Sequence, residues 1–202
     1  MTNPFELAPR SDHGLHERDF IAASHRRLPM VRVLLPMRDD ADRVVRWSEY
    51  VSLEDELASL DWRAVVERNV THRPRIRDLE SCRGVIDAQT SAALGDAVGD
   101  LELTALRWTG YAMSAQSAPT IRVYGNEFAS ADFRRGDVRA AERLPEFVWD
   151  AAGVFAWGTH LYPDSLIVAA EITRLRRIHA DPRLDTIAVR VDSDALPPSA
   201  GD

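Results

Sequence analysis

The segment Trp157-Gly158-Thr159-His160-Leu161-Tyr162-Pro163-Asp164-Ser165 places an imidazole, a carboxylate and a hydroxyl within six residues of one another. A histidine titrates near neutral pH and can take or give a proton. Asp164 could fix the His160 tautomer, and Ser165 becomes a nucleophile if the fold carries it to His160. The stretch reads as a strand running into a helix capped by Asp164, and the first N–H groups of such a helix suit an anion. The ordinary reading stands beside it: Asp164 as a plain cap, His160 as a strand-end residue and Tyr162 as packing. There is no G-x-S-x-G elbow, which disfavours an α/β-hydrolase.

Arginine is the second chemical theme. Arg73, Arg75 and Arg77 alternate, so in an extended chain they would share a face and form an anion- or partner-binding strip. Arg134 and Arg135, and Arg174, Arg176 and Arg177, make further clusters. The competing reading is pairing within the chain, which carries 32 acids. Trp108, flanked by Arg107 and by Arg122 of the next strand, would make an interface hot spot if exposed. Trp47, Trp62 and Trp149 fall on helical stripes and read as core. Asp12, His13, His16, Glu17 and Asp19 include metal-ligand types, but Gly14 separates the histidines and the segment reads as a terminal arm without a rigid shell. No metal is expected, and without G-x-G-x-x-G, a P-loop or C-x-x-C no cofactor is expected either.

The composition narrows the chemistry further. All 25 basic residues are arginine; lysine is absent. Schiff-base, pyridoxal-phosphate, P-loop and kinase lysine chemistries are therefore excluded, since arginine does not deprotonate near neutral pH. The net charge of −7 is spread over both halves, which argues against a nucleic-acid surface, normally a clustered basic stripe. Cys82 is the single cysteine, so neither an internal disulfide nor a thiolate zinc cluster can form. With no apolar run near 20 residues, no membrane span is expected. The first twenty residues lack the apolar core of a secretory signal, and the expected location is cytoplasmic.

The elements that would position these residues read as one α+β domain over 15–192, with an extended arm over 1–14 and a tail over 193–202. The pattern predicts a short helix over 16–27, a strand over 30–35, two or three helices within 42–70, an Arg-rich loop over 71–83 and an Ala-rich helix over 90–98 ending at Gly99. An antiparallel hairpin is expected over 101–124, with a bulge near Ala105. Short helices follow over 137–143 and from Pro145 to Gly153. The end reads as a strand over 154–161, a helix over 165–179 and a strand over 186–191, a unit that permits a right-handed parallel crossover. The expected core is a mixed sheet of about five strands packed by helices.

Such a chain is expected to act without catalysis, by binding another protein. It would be an assembly subunit, or a neutralising partner of the immunity or antitoxin kind, with a basic protein or a second copy as partner. The alternative is a small enzyme for an anionic substrate, with His160 as acid or base and an arginine as clamp. A nucleic-acid-linked regulator is the weaker alternative.

Overall fold

The computed structural model describes residues 4–5, 17–53, 62–111, 118–161 and 163–189. Among them the strands run β1 (Met30–Leu34), β2 (Met37–Arg38), β3 (Val44–Val45), β4 (Glu80–Ser81), β5 (Leu103–Trp108), β6 (Thr120–Val123), β7 (Asn126–Phe133), β8 (Phe147–Asp150), β9 (Phe155–Gly158), β10 (Ser165–Ala170) and β11 (Asp185–Ala188). The helices are α1 (Trp62–Asn69), α2 (Ala88–Val98) and α3 (Ile172–His179). Eight strands form one sheet in the order β11-β1-β10-β9-β8-β5-β7-β6, and β3-β2-β4 form a small second sheet. Every paired neighbour is antiparallel.

Both faces of the large sheet are covered where its centre lies. Val31 and Val33 of β1, Val148 of β8, Phe155 and Trp157 of β9, and Leu166 and Val168 of β10 pack under Leu94 and Val98 of α2 and Leu175 and Ile178 of α3. On the other face Ile21 meets Met30, Ala156, Ile167 and Ala169. Further along that face Phe5 and Phe20 join Leu106, Ile121, Val123, Phe128 and Phe147. A third cluster gathers Trp47, Val65 and Ile76 around Leu34 and Ile187, and ties the small sheet and α1 to the β11 edge.

The expected mixed five-stranded sheet is overturned: the fold remains α+β, but it is mostly sheet, and that sheet has eight antiparallel strands. The predicted 101–124 hairpin does not exist as such, because β7 inserts between β5 and β6. The true hairpin is β6–β7, closed by Tyr124 at φ 48° and Gly125 at φ 86°. Two consecutive positive φ values make the tight turn whose twist matches paired strands. No bulge interrupts β5, whose pairing with β7 runs from Leu103 to Trp108 in unbroken register. Its apparent phase slip arises because both of its faces meet apolar neighbours.

The C-terminal strand-helix-strand unit is present but starts later than expected: it runs from β10 through α3 to β11, which lie parallel on either side of β1. Ser165-Leu-Ile-Val-Ala-Ala170 is strand, and only Ile172–His179 is helix. Strands buried on both faces lose polar alternation and can pass for helix. The segment from Pro145 to Gly153, expected as helix, supplies β8 for the same reason. The chain over 16–27 forms two short 3-10 turns, Glu17–Phe20 and Ala23–His25, rather than a helix. Within 42–70 only Trp62–Asn69 is α-helical among the described residues. The helix expected at 90–98 is present as α2, with Asp87 accepting the N–H groups of Gln89 and Thr90 at its start. The tail over 193–202 and most of the arm over 1–14 lie outside the described residues.

Candidate functional site

The predicted junction at 157–165 is a turn between two strands, so the helix N-terminus that would have received an anion is not there. Thr159 Oγ1 donates to the Ser165 carbonyl at 2.6 Å and closes the turn. Ser165 Oγ accepts from Arg32 Nε at 2.9 Å and donates to Asp164 Oδ1 at 3.1 Å. Arg32 is 1% exposed, on β1 between β11 and β10. A buried guanidinium needs its N–H groups bonded, and Ser165 and Asp164 do that work. The His160 ring lies against the Phe20 ring, centroids 4.2 Å apart. The structure thus joins Ser165 and Asp164 to Arg32 and sends His160 to Phe20.

The arginine strip is fanned out rather than lined up. Residues 74–78 form a 3-10 turn, and at three residues per turn positions 73, 75 and 77 point in different directions. Arg73 lies over the Tyr50 ring at 5.0 Å and donates to the Glu49 carbonyl. Arg75 and Arg77 are exposed. Arg134 meets Glu102, and Arg135 and Arg183 converge on Asp96. Arg174 donates to the last carbonyls of α2, at Ala97 and Val98.

Trp108 faces Leu106, Phe128 and Phe147, half-buried. Arg107 and Arg122 stand on the opposite face of the sheet, with β7 between their strands. The three residues therefore do not form one patch. Of the expected metal-ligand types, Asp12, His13 and His16 lie outside the described residues, and Asp19 is buried. No group of three metal-ligating side chains occurs among the described residues.

Three features had no signal in the sequence. The first is a chain of side chains, Ser24–His25–Asp150. Ser24 Oγ lies 2.9 Å from His25 Nδ1, and His25 Nε2 lies 2.9 Å from Asp150 Oδ1. Asp150 also accepts the N–H groups of Ala152, Val154 and Phe155. Burial works to raise the Asp150 pKa, but the bonds from His25 and these backbone groups outweigh it and hold the carboxyl below its ordinary range. Ser24 is exposed while His25 is 0% exposed. Asp150 is 125 positions away from His25, so only the fold can join them.

The second is Glu146, 1% exposed, whose carboxylate accepts from the Trp108 N–H at 2.9 Å and the Tyr111 hydroxyl at 2.7 Å. Burial raises its pKa above the ordinary range. The third is the contrast between the two edges of the sheet. At β11, the Asp185 carboxylate takes the Ser48 N–H and Ile187 is covered by the Trp47 cluster. At β6, the hairpin register makes Val123 and Ile121 the residues bonded to β7, and Ser130 N–H bonds the Pro119 carbonyl in phase. The N–H and C=O groups of Thr120 and Arg122 therefore point away from the sheet.

No family model, curated protein or solved structure matches this chain.

Proposed function

We propose that this chain works as a protein-binding subunit that receives an extended segment of a partner along β6. The observation that carries the reading is the asymmetry of the edges: β11 is shielded by the small sheet and the Trp47 cluster, whereas β6 has no strand on its outer side among the described residues. Open edges attract other strands, and proteins normally shield them unless pairing is their use. The outward main-chain groups of Thr120 supply bonds to the partner, and the Thr120 and Arg122 side chains stand on an exposed face. A net charge of −7 speeds encounter with a basic partner. The described residues hold no helix long and apolar enough to cross a membrane. Cys82, single and buried, suits a reducing cytoplasm, where we place the assembly or neutralising role.

The test is a photo-cross-linking residue at Arg122, activated in native extract, with Thr120→Pro as the counter-variant. The Thr120 N–H points outward, so proline leaves the β7 ladder intact while removing an edge donor. The expected result is a partner adduct mapped to an extended peptide and lost with Thr120→Pro. No adduct, or one indifferent to the proline, refutes the reading.

A further inference from the structure

We propose that Ser24 is an activated nucleophile, served by His25 and Asp150, that accepts acyl groups from esters. The site is separate from the β6 edge and does not depend on it.

The assignment of protons follows from the partners. Asp150 is ionised and can only accept, so the neutral imidazole carries its proton on Nε2 and donates it to Oδ1. Nδ1 then holds the lone pair, 2.9 Å from the Ser24 oxygen, and accepts the hydroxyl proton. The two ring nitrogens play the reverse of their roles in the familiar serine-protease arrangement, which is defined by geometry and role rather than by atom name. His25 and Asp150 are buried, while Ser24 is exposed and open to a substrate. Each partner of Asp150 fixes it further: three backbone N–H groups hold the carboxylate, and it holds the ring.

The neighbouring loop shapes the approach. Asp150 takes the N–H groups of Ala152, Val154 and Phe155 and skips that of Gly153. Gly153 has φ 78°, and a Cβ built there would have Ser24 O as its nearest neighbour, at 4.0 Å. Gly153 thus lies beside the Ser24 main chain. Ser24 is exposed, which favours an acyl group on an extended or small donor.

The step balances within these groups. Ser24 Oγ bonds the acyl carbon as its proton passes to His25 Nδ1, and the carbonyl electron pair moves to oxygen. Collapse breaks the bond to the leaving alkoxide, which receives the proton from His25. Water then attacks the acyl carbon and gives its proton to the same nitrogen; the Ser24 Oγ–acyl bond breaks, and that proton returns to Ser24 Oγ as the acid leaves. Ser24 and His25 are the catalytic residues, and Asp150 is a positioning residue.

The experiment treats the folded protein with a fluorophosphonate and maps the adduct by mass spectrometry. The probe forms a Ser Oγ–P bond and loses fluoride, with the same proton transfer to His25. General-base assistance predicts labelling of Ser24 about 10²–10⁴-fold faster than of Ser48, an exposed serine of the same chain. 4-Nitrophenyl acetate should give a burst that Ser24→Ala abolishes while the protein stays folded. Equal labelling of Ser24 and Ser48, or a burst that survives in Ser24→Ala, overturns the proposal.

Discussion

Gly158→Ala tests how the segment before β1 is seated on the sheet. A Cβ built at Gly158 would lie 1.7 Å from the Phe20 carbonyl oxygen and 2.6 Å from its carbon. Real Cβ contacts stay at 3.0 Å or beyond, and the obstacle is backbone rather than a flexible side chain. The segment must lift or the strand must yield. Lifting uncovers Phe20 and Ile21, now 2% and 0% exposed, at about 1.5–3 kcal/mol for each. Yielding strains β9 between β8 and β10, and overpacking of this kind costs about 1–3 kcal/mol. The protein takes the cheaper path or a mixture, so a loss of about 2–4 kcal/mol is expected, a large part of a typical folding free energy. Urea unfolding followed by tryptophan fluorescence measures it, with hydrogen exchange of the amides over 20–28 as the local readout. Gly136→Ala is the control, since nothing lies within 4 Å of its built Cβ and its effect should stay within about 0.5 kcal/mol. If the two variants unfold at the same urea concentration, the seating of Phe20 on Gly158 is wrong.

Other outcomes follow from single groups. Burial pushes the Cys82 thiol up to about 11, so native protein should resist a thiol-specific disulfide reagent at pH 8 and react in step with unfolding. The folded-state pKa of Glu146 is raised, so its contribution to stability is present in acid and is lost as pH climbs above the ordinary glutamate value. Glu146→Gln should therefore gain on wild type between pH 4 and 7 in urea titrations. Asp150 titrates in the opposite sense: its folded pKa is depressed, so its stabilisation is present at neutral pH and lost as pH falls through the folded value. Asp150→Asn should cost about 1–3 kcal/mol at pH 7, and the gap should narrow toward pH 3.

Legibility of the sequence followed the environment of each segment. Asp87 and Gly99 mark α2 because caps act locally, within a turn of the helix they end. The stretch over 30–34 is visible as strand because Val31 and Val33 recur at the strand period. Ser165–Ala170 passes for helix because cover on both faces removes the polar half of the pattern. The order of strands was not legible, since nothing local in Leu103–Trp108 says that β7 rather than β6 lies beside it. Residue types alone suggest chemistry in the 157–165 segment, whereas the buried Arg32 decides what Ser165 and Asp164 do. Ser24 and His25 gave no signal because their partner Asp150 is reached only through the fold.

The position of β1 has a consequence for how the molecule comes into being. It is an interior strand, flanked by β10 and β11, both from the far end of the sequence. A nascent chain leaving the ribosome therefore holds Val31, Val33 and Leu34 ready long before their neighbours are made. Closure of this side of the sheet waits until β10 and β11 have been made, and such distant pairings close slowly. Until then those side chains are open to chaperones and to the wrong strands alike.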